Sequence, residues 1–308
     1  MQTKSFFTQT RWLVTIILTA FSIGQMWGAI TNNNDGTYTE PSGTGSGTGS
    51  GSSYYITWSY AGGNITVIQY KGKGGTSVSS SYRSAARIYQ YHYLDCSASG
   101  GFKIDTILTT YDGNYKGAGV AGGSSISSNV VGGTGNVTST LATGNSGGTH
   151  SFRPTTAGAK AHMYVQNCQS GSTNTQLRLV SGGIKVAYSY TAPTAVAKGT
   201  VTSSSFGLTI TDALNTNSYE VYFNTTGSAP NASTAASATV DSKTPTISSG
   251  VSANQTYYVW VRSKKTISSD TWKSSWVALT GNTLSTPSAA ACSDDVAIGT
   301  ASLNGSFL

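Results

Sequence analysis

A chain of 308 residues that carries only 9% charged residues, 37 glycines and 18 tyrosines builds its polar surface from Ser, Thr and Asn rather than from Lys and Glu. That balance argues against helices and for short strands joined by tight turns, because Ser, Thr, Tyr and Val suit a pleated sheet and Gly supplies the positive φ of turns. The formal net charge of +7 is spread over scattered Lys and Arg, which excludes the clustered basic face of a nucleic-acid binder.

The chain opens with Lys4 and Arg11 and then an apolar run over residues 12–23, followed by small residues at Gly24, Gly28 and Ala29. A basic start, a short apolar stretch and a small-residue exit form a signal peptide, assigned to residues 1–29. The run is too short for a membrane span, which needs roughly 20 apolar residues. Its removal leaves sixteen Lys and Arg against eleven acids, a formal +5, and no later stretch is apolar enough to span.

Residues 30–53 are polar and end in GTGSGTGSGSS, a Gly/Ser/Thr-rich segment expected to be a flexible linker. The first core is placed over residues 54–190. Its runs YYITWSY, NITVIQY, ARIYQYHYL, FKIDTILTTY, KAHMYVQN, TQLRLV and GIKVAYSY alternate apolar with polar positions and are separated by Gly, Asn or Ser. This is the pattern of an antiparallel β-sandwich, here jelly-roll-like. The Gly/Ser/Asn-rich stretch 114–149 reads as loops or edge strands.

Within ARIYQYHYL a single strand puts Arg87, Tyr89, Tyr91 and Tyr93 on one face and Ile88, Gln90, His92 and Leu94 on the other. Three rings in register can stack against sugar rings, with Arg87 donating hydrogen bonds at the edge. The same rings can instead fill the core or brace the sheet as a cross-strand ladder, and the scarcity of Leu and Ile favours that use. Cys96 and Cys168 each end a strand-like run, so they either close a disulfide or remain as buried thiols, and Cys292 is left over in both cases.

Catalysis has little material. No Glu lies between Glu40 and Glu220, so a glycosidase pair in the first core must come from Asp95, Asp105 and Asp112. Asp112 belongs to the turn YDGNY, and Asp105 alternates in a strand beside Lys103. Asp112 and Asn114 offer two oxygens for calcium, too few for a cage of six to eight. With so many Ser and Gly residues, near-matches to G-x-S-x-G arise by composition, and the one in GTGSGTG falls in the linker without the strand-turn-helix a nucleophile elbow requires. KGKGG at residues 71–75 lacks the phosphate-loop spacing. No metal or cofactor is expected.

The second unit is placed over residues 191–285, with strand-like runs at 206–210, 219–223, 257–262 and 276–279. SYEVYF, VSANQTYYVWVRSKK and SSWVALTG resemble the fibronectin type III family, a seven-stranded immunoglobulin-like sandwich. The resemblance implies that Tyr257 is the corner tyrosine and that Val259 and Val261 join Phe206, Leu208, Ile210, Tyr219, Val221 and Phe223 in the core. Ile210 stands where the family usually keeps Trp, and Val251 where it keeps Leu. No Arg-Gly-Asp triplet supports integrin binding. Tyr258 and Trp260 then point outward, and RSKK (262–265) reads as a solvated turn. The strand order of residues 54–190 is similar to an uncharacterised sandwich module at the front of secreted multi-domain proteins of Bacteroidetes-type bacteria, which implies no activity. Residues 286–308 form a tail or linker.

The expectation is therefore an all-β chain of two consecutive antiparallel β-sandwiches, secreted or at the cell surface, acting in binding, adhesion or spacing rather than as an enzyme. Its expected partner is a polysaccharide or cell-surface glycan held by the first sandwich, with no nucleic acid and no membrane span. The alternative is an accessory portion of a larger secreted hydrolase.

Overall fold

The computed structural model describes residues 29–71, 77–89, 92–111, 117–123, 148–152, 158, 160–168, 176–214 and 218–289. The chain divides into two compact units. The first takes the residues up to Ala192 with Asn231–Ser233 and Ser263–Ser275, and the second takes Pro193–Pro230, Thr234–Arg262 and the residues from Trp276 onward. Among the described residues no helix is long and apolar enough to cross a membrane.

The first unit is built from β1 (Thr31–Asn32), β2 (Thr37–Pro41), β3 (Ser46–Thr48), β4 (Tyr55–Tyr60), β5 (Ile65–Lys71), β6 (Arg87–Tyr89), β7 (His92–Ala98), β8 (Phe102–Tyr111), β9 (Gly117–Gly123), β10 (Gly148–Phe152), β11 (Lys160–Cys168) and β12 (Gln176–Tyr190). One antiparallel sheet runs β1-β2-β12-β8-β10, with β6 also paired to β12, and the other runs β3-β4-β5-β7-β11-β9. Alternation supplies the core between them. Ile56, Trp58 and Tyr60 of β4, Ile65 and Val67 of β5, and Leu94 and Cys96 of β7 meet Tyr38 of β2, Ile104 and Ile107 of β8, and Ile184, Val186 and Tyr188 of β12. Each large side chain so buried contributes about 1.5–3 kcal/mol. The Tyr60 hydroxyl crosses the sandwich to donate to the Ile184 carbonyl at 3.2 Å.

The segment expected as a flexible linker is part of this sandwich. β2 pairs with β12 from Thr37 to Pro41, and β3 pairs with β4. Tyr38 and Glu40 are buried. Composition hid this, because a Gly-rich edge strand needs only its backbone to pair, and one Tyr is enough to anchor β2. Gly45 shows why glycine is required there: a Cβ would lie 2.5 Å from Ile56 Cγ2 and 2.8 Å from Trp58 Nε1.

Glu40 is 1% exposed and accepts hydrogen bonds from the Ala61 amide (2.9 Å) and the Tyr188 hydroxyl (2.8 Å). The Tyr188 oxygen in turn accepts from the Trp272 indole at 3.1 Å. Trp272 lies on the hairpin Ser263–Ser275 and stands edge-on to Phe102, with ring centroids 5.4 Å apart. Sequence placed that hairpin in the second domain. The contacts of its Trp272, and of Lys273 with the Tyr38 hydroxyl, explain its place in the first unit.

After Ala192 the chain forms β13 (Ala195–Val201), β14 (Phe206–Thr211), β15 (Ser218–Asn224), β16 (Ala238–Val240), β17 (Thr246–Ile247), β18 (Thr256–Ile267), β19 (Asp270–Lys273) and β20 (Val277–Ser285), which belong to the second unit except for the end of β18 and all of β19, the hairpin of the first unit. A three-stranded sheet runs β13-β14-β17, and a second runs β16-β15-β18-β19 with β20 on β18. Phe206, Leu208, Ile210, Tyr219, Val221, Tyr257, Val259 and Val261, the residues expected in this core, are buried together with Val196, and Phe223 is partly buried against them. The Tyr257 hydroxyl accepts from the Ser252 amide at 2.8 Å, closing the turn that leads into β18.

Desolvation pushes the Glu40 carboxyl above its ordinary value, the Ala61 and Tyr188 donors partly offset this, and the Asp270 charge adds to the rise. A folded carboxyl that holds its proton more tightly than the unfolded one contributes most at low pH, and its contribution declines as pH climbs from about 4.3 through the raised value. Glu40→Gln keeps the acceptor oxygen and removes the charge. It is expected to flatten the loss of melting temperature between roughly pH 4 and 7; parallel wild-type and variant profiles would refute the assignment.

Candidate functional site

The run ARIYQYHYL does not form one strand. Arg87–Tyr89 pairs with β12, placing Arg87 opposite Arg178 and Tyr89 opposite Gln176. His92–Ala98 pairs instead with β5 and β11, so Tyr93 stands opposite Tyr70 and Tyr164 in the other sheet. Tyr91 lies outside the described residues. The expected platform of Tyr89, Tyr91 and Tyr93 on one strand face is thus corrected: the chain changes sheets between Tyr89 and His92. Periodicity cannot register such a crossing, because both pieces keep the alternation of two.

What β6 does present is a smaller aromatic group. Ile88 points into the core, so Arg87 and Tyr89 share the half-exposed face. The Arg87 guanidinium carbon lies 5.3 Å from the centre of the Tyr82 ring, within cation–π range. The Tyr82 and Tyr89 rings are 6.1 Å apart and their hydroxyls 3.3 Å apart. Partial burial, then the Tyr82 hydroxyl, raises the Tyr89 phenol. Tyr82, which sequence reasoning missed, enters through a short 3₁₀ turn, Ser80–Tyr82, where no alternation marks it.

A buried amide holds this surface from beneath. Gln69 Nε2 donates to the Arg87 carbonyl at 2.7 Å and meets His92 Nδ1 at 3.0 Å. The first bond fixes the amide orientation, so Nδ1 is the acceptor and the His92 proton sits on Nε2. The His92 ring also packs 5.5 Å from Tyr89. With Tyr82 and His92 buried, the group offers the half-exposed Tyr89 ring with its hydroxyl, and one cation, Arg87.

The acids stay apart. Asp95 on β7 accepts from the Tyr70 hydroxyl at 2.5 Å, and the register sets His162 opposite it, whereas Asp105 is on β8 in the other sheet. Asp112 and Asn114, the weak calcium pair, lie outside the described residues. Among those residues no group of three or more His, Cys, Asp or Glu could hold a metal. Cys96 is a free, buried thiol. It faces Ala161 on β11, and Cys168 lies seven residues further along that strand. At about 3.3 Å per residue the two backbones are roughly 23 Å apart, beyond any bridge.

In the second unit, Tyr258 and Trp260 are half-buried on the outward face of β18, as expected. Arg262, expected in a solvated turn, is 1% exposed. It pairs with Glu220 through Nη2 at 2.6 Å and Nε at 2.8 Å and covers the Trp276 ring, its guanidinium carbon 4.1 Å from the centroid. The run of like charges suggested solvent, but β18 continues to Ile267 and carries Arg262 onto the sheet opposite the lone acid of β15.

No protein family profile and no curated protein matches the chain. Among solved structures, the crystal structure of the Spr0440 glycoside hydrolase domain of Endo-D from Streptococcus pneumoniae is similar at 11% identity with a TM-score of 0.20, over 78% of this chain and 37% of that one. The chain thus spans little more than a third of that protein's domain, and a likeness at this score carries no argument about activity.

Breaking the Arg262–Glu220 pair leaves a buried charge alone. Arg262→Met is expected to lower the unfolding free energy by about 3–5 kcal/mol, while the double change Arg262→Met with Glu220→Leu recovers most of it. Urea unfolding of the three proteins measures both values; equal losses in the single and double variants would mean that the charges are not coupled.

Proposed function

We propose that this is a non-catalytic binding and spacer protein of the cell exterior, whose first sandwich holds a polysaccharide on the Tyr82–Arg87–Tyr89 surface and whose second, a fibronectin type III-like module, serves as spacer. The observation that carries the reading is the group itself: the half-exposed Tyr89 ring beside the half-exposed Arg87, whose guanidinium lies over the buried Tyr82 ring, with Gln69 and His92 fixing the strand from below. Apolar ring faces with a few placed hydrogen-bonding groups are what an oriented small-molecule or sugar site needs. Asp95 and Asp105 fall on different sheets, which supports binding over hydrolysis. Export is supported by the residue pattern of 1–29, and the fibronectin-like assignment by the hydrogen bond of Tyr257 to Ser252 and by the alternating core of β18.

A glycan array probed with the full chain tests the reading. Retention on at least one polysaccharide is expected, weakened about tenfold or more in Tyr89→Ala and in Arg87→Ala. Retention unchanged in both variants, or none on any glycan, would reduce the first sandwich to a spacer.

A further inference from the structure

We propose that the second unit carries its own binding strip for an uncharged polysaccharide, formed by Tyr258, Trp260, Tyr222 and Trp276. Each ring neighbours the next, the later pairs tilted by 39° and 56°. Between centroids, Tyr258 to Trp260 is 6.5 Å with planes 21° apart, Trp260 to Tyr222 is 5.8 Å, and Tyr222 to Trp276 is 6.2 Å. The alternation that sends Tyr257, Val259 and Val261 inward forces Tyr258 and Trp260 outward, and Tyr222 stands between the inward Val221 and the partly buried Phe223. All four rings are half-buried, so each retains accessible surface after packing on its neighbours.

Charge decides what such a strip can hold. The ions packed beside its rings, Arg262 and Glu220, are 1% and 4% exposed and are paired with each other, so neither offers its charge to an anionic or a basic polymer. The same-face neighbours are neutral: Thr256 on β18 and Thr283, opposite Tyr258 on β20, carry hydroxyls, and the Asn224 amide on β15 is committed to its own turn. Neighbouring rings fringed by hydroxyls match a neutral sugar chain, whose C–H faces stack and whose hydroxyls seek polar partners.

The strip is also held in place before any ligand arrives. Asn224 gathers the turn after β15, accepting from the amides of Thr226 (3.2 Å) and Gly227 (2.8 Å) while its amide donates to Ser228 O (2.7 Å) and to the Tyr222 hydroxyl (3.2 Å). That turn brings Gly227, at φ +77, so close to the Tyr258 ring that a Cβ would stand 3.1 Å from Cζ. Rings held in this way lose little freedom on binding, which is the condition for usable affinity on a shallow surface.

This proposal concerns a surface separate from that of the first sandwich, and the full chain distinguishes them. Affinity electrophoresis in gels containing neutral glucan, xylan or mannan, or anionic alginate, would be run on wild type, Trp260→Ala, Tyr222→Thr and Tyr89→Ala, with thermal melts verifying the fold. Retardation by a neutral polymer that falls about tenfold in Trp260→Ala and Tyr222→Thr but persists in Tyr89→Ala is expected. Should Trp260→Ala fail to fold, Tyr222→Thr, a strand-compatible change, carries the test. Retardation lost only in Tyr89→Ala would assign all binding to the first sandwich, and retardation by alginate alone or by no polymer would equally overturn the proposal.

Discussion

A carboxylate taken out of water must be met by donors or give up its charge, and Glu40 imposes that rule on the first sandwich. Among the described residues no ion pair reaches it, so its needs fall on the Ala61 amide and the Tyr188 hydroxyl. Ala61 has φ +49 in the turn between β4 and β5, and the bond to Glu40 helps hold that unusual backbone. Tyr188 answers Glu40 with its proton and therefore has only its oxygen to offer Trp272. One acid on β2 thus orients a turn of one sheet, a strand of the other and the indole of the hairpin.

The second unit solves a related problem with opposite charges. Arg262 is buried because Glu220 and the Trp276 face replace its water, and the Thr234 carbonyl takes a further guanidinium hydrogen at 3.3 Å. The cost of burying the ions is offset by their closeness and by the ring that shields them. Position along β18 then separates two roles by parity alone: Tyr257, Val259 and Val261 pack the interior, while Tyr258, Trp260 and Arg262 build the outer row.

Much of the architecture was readable from alternation. YITWSY and NITVIQY place Ile56, Trp58, Tyr60, Ile65 and Val67 inward, and TYYVWV separates core from outer face without ambiguity. Three features escaped for physical reasons. Tyr38 and Glu40 sit in a segment whose composition resembles a linker, yet backbone pairing with β12 requires no apolar run. The crossing after Tyr89 preserves the period of two while changing the partner strand, so the tyrosines look continuous and are not. Arg262 belongs to a basic run, and only the fold reveals that Glu220 lies within reach. Of the candidate binding residues, Arg87 and Tyr89 were legible on a shared face, whereas Tyr82, brought by a turn, was not.

Cys96 gives the first sandwich an internal clock. Enclosed between β5 and β11 and with its thiol pushed well above the ordinary range, chiefly by desolvation, it holds almost no thiolate while the sheets are closed. Alkylating reagents can therefore act on it only in the intervals when the strands part, and the pace of labelling reports how often the sandwich breathes.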